Sequence, residues 1–314
     1  MTGLLRFLLL RLLHLVPVVL GVTFLVFTML KLVPGDPATA ILGIRATPEA
    51  IANIREALGL DRPFLVQYAS FLGHLLRGNL GESLVTKQPV LPMVLERMPA
   101  TLSLVAMSAL FGAVLTVPPA VLAARHKDRP PDHLVRGTFI FGLAIPSFWL
   151  GIILMLVFSL KLRLFPVSGF GATWVERLHH LVLPSFTVAL ALAAILIRNL
   201  RAGVLEVLRA DYVRTARAKG LSERAVMRRH VMRNALLSTV TVFGVNLAFL
   251  IGGTVVVETV FSLPGLGAML VTAVYQRDYP VVQGITLVFA VLIILVNLLV
   301  DLAYVALDPR VTFD

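Results

Sequence analysis

Apolar and polar residues along this chain fall into long blocks rather than a fine alternation. Six stretches contain no Asp, Glu, Lys or Arg: Leu12 to Leu30, Met98 to Ala124, Gly137 to Leu160, Leu178 to Ile197, Asn234 to Val257 and Tyr279 to Val300. Each is long enough to cross about 30 Å of hydrocarbon as a helix. The pattern therefore predicts an all-α polytopic membrane protein with six transmembrane helices. The fourth stretch is shortened by His179 and His180 and interrupted by Pro184, so five is the competing count. The first has Arg6 and Arg11 before it and Ala38-Thr39-Ala40 after it, an arrangement like a cleavable leader. A leader's apolar region runs about 7 to 15 residues, and this one is longer. It is read as a retained helix.

Between the first and second stretches lies a long segment, about Pro34 to Pro99, with helical patterning of its own. Thr47-Pro48-Glu49 predicts a helix start with proline in the first turn, and Ile51, Ile54, Ala57 and Leu58 follow at helical spacing up to Gly59. A second amphipathic stretch is predicted over Phe64 to Leu76, and the whole is expected to form a small packed external subdomain. The division expected is 1–33 for the N-terminal segment and first helix, 34–99 for the external loop, and 100–314 for the core.

The segment 203–236 is too polar to cross a membrane and too regular for a linker. Val204, Leu208, Tyr212 and Thr215-Ala216 share a stripe ending at Lys219-Gly220, where glycine suits a left-handed C-cap. Leu221-Ser222-Glu223 restarts the chain, with Ser222 as N-cap and Glu223 beside the positive helix end. Two short helices around a glycine elbow are predicted. They either enter a groove on a partner protein or lie on anionic lipid.

Composition narrows the classes. Hydrophobic residues are 58% and charged residues 14%, against roughly a quarter charged in soluble domains, so a soluble enzyme is excluded. The net charge of +11 does not point to nucleic acid in a chain this apolar; it marks cytoplasmic loops. With the N-terminus inside, seventeen of the 28 Lys and Arg residues fall in cytoplasmic segments and four in the short external loops. Both termini are accordingly expected inside. No cysteine is present, which removes thiolate chemistry.

The chain has no G-x-x-x-x-G-K-[ST] loop to cradle phosphates, so uphill transport needs an ATP-binding partner or an ion gradient. An ion-coupled carrier needs ionisable groups near the bilayer midplane. The spans offer His14, Glu258 and Asp301, all near span ends, where boundary or interhelical roles fit. Adjacent His179 and His180 point to different sides of a helix and make a poor chelate, so no metal site is expected. No HExxH, GxSxG or paired-acid pattern suggests catalysis. Pathway candidates are the polar and small residues Ser108, Thr116, Ser147, Asn246, Gly252, Gly253 and Thr254, which equally suit helix packing.

The run DYVRTARAKGL, Asp211 to Leu221, followed by RHVMRNA, Arg229 to Ala235, resembles the cytoplasmic coupling motif of binding-protein-dependent ABC importer permeases. Pro34-Gly35-Asp36-Pro37, Gly78-Asn79-Leu80-Gly81-Glu82-Ser83, Pro146-Ser147-Phe148-Trp149 and Pro264-Gly265-Leu266-Gly267 extend the resemblance over the chain. It is closest to the first permease subunit of the dipeptide/oligopeptide/nickel group. Ser238 stands where that family usually has proline, and Arg214-Thr215-Ala216 replaces the generic Glu-Ala-Ala.

The resemblance implies a subunit of a bacterial inner-membrane importer with the coupling helices between spans four and five. Its expected partners are a second homologous permease, two cytoplasmic ATPase subunits or domains, an external substrate-binding protein and membrane lipid. No cofactor is expected in this chain, ATP and magnesium being bound by the ATPases. Asp211, Tyr212, Arg214, Ala216, Arg217, Lys219, Gly220 and Leu221 are expected at or beside the ATPase docking surface. The substrate implied is a short peptide, with nickel, glutathione or oligosaccharide as alternatives and an ion-coupled carrier as the competing class.

Overall fold

The computed structural model describes residue 13 and segments 16–29, 37–42, 47–57 and 59–307. Among these residues the chain is helical, with an isolated antiparallel bridge between Glu82 and Pro89. It divides into two compact units, Met1–Pro99 with Gly265–Leu292, and Ala100–Pro264 with Ile293–Asp314.

In the first unit, α1 (Val16–Met29) is followed by α2 (Pro37–Leu42), α3 (Pro48–Ala57) and α4 (Phe64–Leu76). The Thr47 hydroxyl accepts from Ala50 N–H at 3.2 Å, capping α3 where the Thr-Pro-Glu signal placed its start. The ends of the first predicted span, Leu12 and Leu30, and its His14 lie outside the described residues. Helix α4 has no fully buried residue. It lays Phe64, Tyr68 and Phe71 on Phe24 and Phe27 of α1. Near the start of α13 (Tyr279–Leu307), the buried Asp278 accepts hydrogen bonds from the Ser83 hydroxyl and from Leu84 N–H, tying that corner to the loop before α5 (Val90–Arg125).

The second unit is organised on α8 (Trp174–Val207). The sequence shortens and interrupts this span, yet most of its residues from Leu181 to Leu200 are buried. Small residues at Ala189, Ala193 and Ala194 let neighbouring helices approach closely. Pro184 removes one hydrogen bond without ending the helix, a substitution the packing around it tolerates. A Thr173 and Glu176 capping box fixes the start of α8. The helix α11 (Met232–Val260) lies along α8, and its Gly244 meets Val300 so closely that an added Cβ would clash with that side chain.

The third predicted span differs from expectation. It is two helices, α6 (Pro130–Ala144) and α7 (Ser147–Leu154), the second continued by a π-helical turn at Met155–Lys161, and they bend by 104°. Pro146 lies at the break. Its ring pushes the preceding residue out of the α region, and Ile145 is extended at φ −83° and ψ 123°.

Among the described residues, four helices are long and apolar enough to cross a membrane: Val90–Arg125, Trp174–Val207, Glu223–Val260 and Tyr279–Val300. The bent pair makes a fifth if counted as one span. Described α1 is shorter, and α12 (Leu266–Gln276) shorter still.

Candidate functional site

The glycine elbow forms where the sequence placed it. Helix α8 stops at Val207, and the chain turns through Ala210 into α9 (Asp211–Ala218). The stripe from Val204 to Ala216 is therefore shared between two helices rather than carried by one. Gly220 sits in the left-handed region at φ +79°. Its N–H donates to Arg217 O at 2.9 Å, and Leu221 N–H donates to Ala216 O at 3.3 Å. These two bonds are the Schellman pair that closes a helix end with glycine at C′. The chain restarts at α10 (Glu223–Ala225), with Ser222 Oγ accepting from Ala225 N–H at 3.4 Å, then passes through a π-helical turn at Val226–Val231 into α11.

A side-chain clasp spans the elbow. Arg217 donates to both oxygens of Glu223, at 2.7 and 3.2 Å. Those hydrogen bonds hold the Glu223 carboxyl below its ordinary range and push the Arg217 guanidinium up. Arg214 similarly reaches Asp211 at 3.3 Å, and Asn234 donates to the Tyr212 hydroxyl at 3.2 Å.

The elbow has an exposed tip and a buried base. Asp211, Tyr212, Arg214, Arg217, Lys219 and Gly220 are exposed, and Leu221 is half-buried. Ala216 differs from its neighbours in the motif: it is only 5% exposed and faces inward. With Val213, Val226 and Met227 it packs into a core formed with Ala120 and Ala123 of α5, Val135 of α6 and Leu200 of α8. Its small size serves the elbow's own seat.

Beside this base lies a pair that the sequence reading missed. Asp132, fully buried in the first turn of α6, accepts from Arg201 Nε at 2.6 Å and Nη2 at 2.5 Å. Asp132 also accepts from Asp128 N–H at 3.0 Å. The Arg201 hydrogen bonds hold the carboxyl below its ordinary range against the opposing pull of burial. The available signal was an aspartate just after Pro130-Pro131 and an arginine one turn beyond the apolar stretch of α8.

A second place of interest is a cleft of about 200 Å³ between α7, α8 and α11. It brings together three of the sequence-predicted pathway residues, Ser147, Asn246 and Gly253, against a wall that includes Ile195 and Phe249. Gly252 is exposed on the same helix. Thr254 is not in this group: it is fully buried and donates to Ile251 O at 2.9 Å. Ser108 and Thr116 are likewise buried, Thr116 donating to Gly112 O. The Thr116 and Thr254 hydroxyls are thus spent on their own helices.

Glu258 is fully buried and accepts from the Thr101 hydroxyl at 2.7 Å, linking α11 to α5. His179 Nε2 lies 2.8 Å from Leu164 O, and its ring packs beside Phe165. The side chain of Asp301 lies outside the described residues.

Comparison with known proteins agrees with this architecture. Residues 116–313 match the family described as binding-protein-dependent transport system inner membrane component, and residues 4–105 match the N-terminal region described for such components. The chain is 40% identical over 304 residues to the oligopeptide transport system permease protein AppB of Bacillus subtilis, covering 95% of this chain and 96% of that one. It is 41% identical over 309 residues to the glutathione transport system permease protein GsiC of Salmonella typhimurium, covering 98% and 99%. In fold it is similar to a chain of the MetNI methionine ABC transporter in an inward-facing conformation. There the TM-score is 0.58 at 18% identity, over 69% of this chain and 96% of that chain.

Proposed function

Because the chain belongs to the family of binding-protein-dependent transport system inner membrane components, we propose that it is a permease subunit of a peptide importer in a bacterial inner membrane. It crosses the membrane six times with both termini inside and lines the path for short peptides. Energy comes from ATP and magnesium bound by two ATPase subunits or domains, with a second homologous permease beside it and an external binding protein delivering cargo. The oligopeptide and glutathione relatives support a peptide substrate.

The observation that carries the coupling role is the elbow's division into exposed tip and buried base. A transmitting element must offer a surface to the ATPase and be fixed to the helices it moves. Tyr212, Lys219 and Gly220 supply the first, and Val213, Ala216, Val226 and Met227 the second. Because the same core contains the ends of α5, α6 and α8, a push on the tip is delivered to several helices together. The Ser147, Asn246 and Gly253 cleft is the candidate stretch of pathway, apolar enough for side chains and with hydroxyl and amide groups for peptide bonds.

The test is reconstitution. The complete importer with its binding protein should accumulate peptide only with ATP, and this chain alone should accumulate nothing on a proton or sodium gradient. Ion-driven uptake by the chain alone would overturn the reading.

A further inference from the structure

Helix α4 belongs to a segment that reads as an aqueous loop, yet it is built for two environments. Its thirteen residues include no Asp, Glu, Lys or Arg, and Arg62 and Arg77 lie just outside its two ends. At 3.6 residues per turn they divide into three faces. Phe64, Tyr68 and Phe71 make one; Leu65, Ala69, Leu72 and Leu76 make the next; Gln67, Ser70 and His74 lie opposite that second face.

The first face is occupied. Its rings stand 5.4 to 5.8 Å from those of Phe24 and Phe27, and the Tyr68 hydroxyl donates to Leu20 O at 3.0 Å. The polar face turns toward the preceding loop, where Gln67 Nε2 donates to Leu60 O and Arg62 O. The leucine face is uncovered, with Leu65 70% and Leu76 88% exposed.

The contacts on α1 set the depth. Counting back from Met29, where α1 ends, Phe27 lies about 3 Å and Leu20 about 14 Å along the helix. A second helix gives the same level independently. Phe71 shares a small cavity with Val22, Thr23, Gln283 and Leu287, and Leu287 is about 12 Å along α13 from Tyr279. Both measures place α4 below the outer ends of two spans. Interfacial amphipathic helices bury their apolar face by about 5–10 Å into the boundary between headgroups and acyl chains.

We infer that α4 is an interfacial helix of the outer leaflet, with the Leu65–Leu76 face on acyl chains and the Gln67–His74 face toward water. The uncovered leucine face continues the lipid-facing surface of α1, where Leu25 is 60% and Met29 66% exposed. Arg62 and Arg77 reach lipid phosphates from the two ends. The inference rests on the proposed topology, in which α1 and α13 cross the membrane with Met29 and Tyr279 outward.

The chain has no cysteine, so single-cysteine spin labels can be placed without background. Labels at Leu65→Cys, Leu76→Cys, His74→Cys and Leu25→Cys are read in the complete importer, reconstituted in phosphatidylethanolamine and phosphatidylglycerol vesicles. Collisions with oxygen, which concentrates in lipid, are compared with collisions with a water-soluble nickel chelate. At positions 65, 76 and 25 oxygen should dominate several-fold, and at position 74 the chelate should dominate. If position 25 is in lipid while 65 and 76 meet the chelate as freely as 74, the interfacial assignment of α4 is wrong and the topology stands. If position 25 itself meets the chelate, the topology beneath the inference fails. Labels at 65 and 76 shielded from both reagents, and released when the binding protein is removed, would overturn the lipid assignment in favour of a protein partner.

Discussion

At the scale of single residues, Gly220 and Asp132 show how differently one substitution acts at an exposed bend and at a buried pair. An added Cβ at Gly220 would meet no atom within 4 Å, so the cost of replacing it is the left-handed backbone at φ +79°. For an L-residue that cost is roughly 1–2 kcal/mol, larger for a β-branched side chain. Gly220→Val is expected to leave the membrane-embedded body folded and to reshape the elbow, so that ATP hydrolysis persists while peptide uptake falls. Gly220→Asn, which tolerates this conformation, is expected to keep most uptake. The check is the ratio of peptide transported to ATP hydrolysed in proteoliposomes; an unchanged ratio in the valine variant would remove the elbow from the mechanism. Asp132 is the opposite case. Removing one member of a buried ion pair leaves the other charge unpaired, at about 3–5 kcal/mol. Asp132→Ala should therefore lower the melting temperature of the detergent-solubilised complex far more than Glu223→Gln, whose exposed clasp is worth about 0–1 kcal/mol. Because Arg201 depresses the Asp132 carboxyl below its free value of 3.8, the pair's contribution is fully present above that value and lost as pH falls through the lower folded one. The stability gap between the wild type and Asp132→Asn should accordingly hold from neutral to mildly acid pH and narrow only below it.

At the scale of elements, the helix starts and stops were legible because each rests on local chemistry. Thr47-Pro48 opened α3, and Gly220 with Ser222 marked the elbow; both signals act within a few residues. The span count was harder. Pro184 and Pro146 look equivalent in the sequence, yet one sits in a continuous helix and the other at a 104° bend. What separates them is tertiary packing. Pro184 is surrounded by buried neighbours that hold α8 together, whereas the residues before Pro146, from Ile140 to Ala144, are largely exposed and offer nothing to resist the turn. Burial partners at long range, such as Asp132 with Arg201 or Ala216 with the ends of α5 and α8, were illegible for the same reason. If proline causes the bend, Pro146→Ala should relax it. Spin labels at Leu134 and Leu160 would then move apart toward about 39 Å, the length of 26 residues at 1.5 Å each. Pulsed dipolar distances measure this, and an unchanged separation would assign the bend to packing alone.

At the scale of the whole molecule, charge placement and chemistry have to agree on one direction. The basic residues clustered from Arg198 to Arg233 surround the elbow, so in the proposed reading the side that retains positive charge during insertion is also the side where the nucleotide-consuming partner docks. Cysteines placed at Lys127 and Lys219 should resist a membrane-impermeant maleimide added outside intact cells, while those at Lys87 and Arg163 should react. Reaction at Lys219 would put the elbow on the face without ATP and leave the importer with no means of receiving its energy. The proposed function also has the chain work only in company. It carries no phosphate-cradling loop, and its buried Glu258 is occupied by Thr101 in a helix-to-helix bond. Glu258→Gln preserves a side chain able to accept from Thr101, so it should keep ATP-driven peptide uptake near wild type. An ion-coupled carrier that used Glu258 as its proton site would lose transport in that variant. Uptake by the complete importer under a collapsed proton gradient, compared between Glu258→Gln and wild type, separates the two machines.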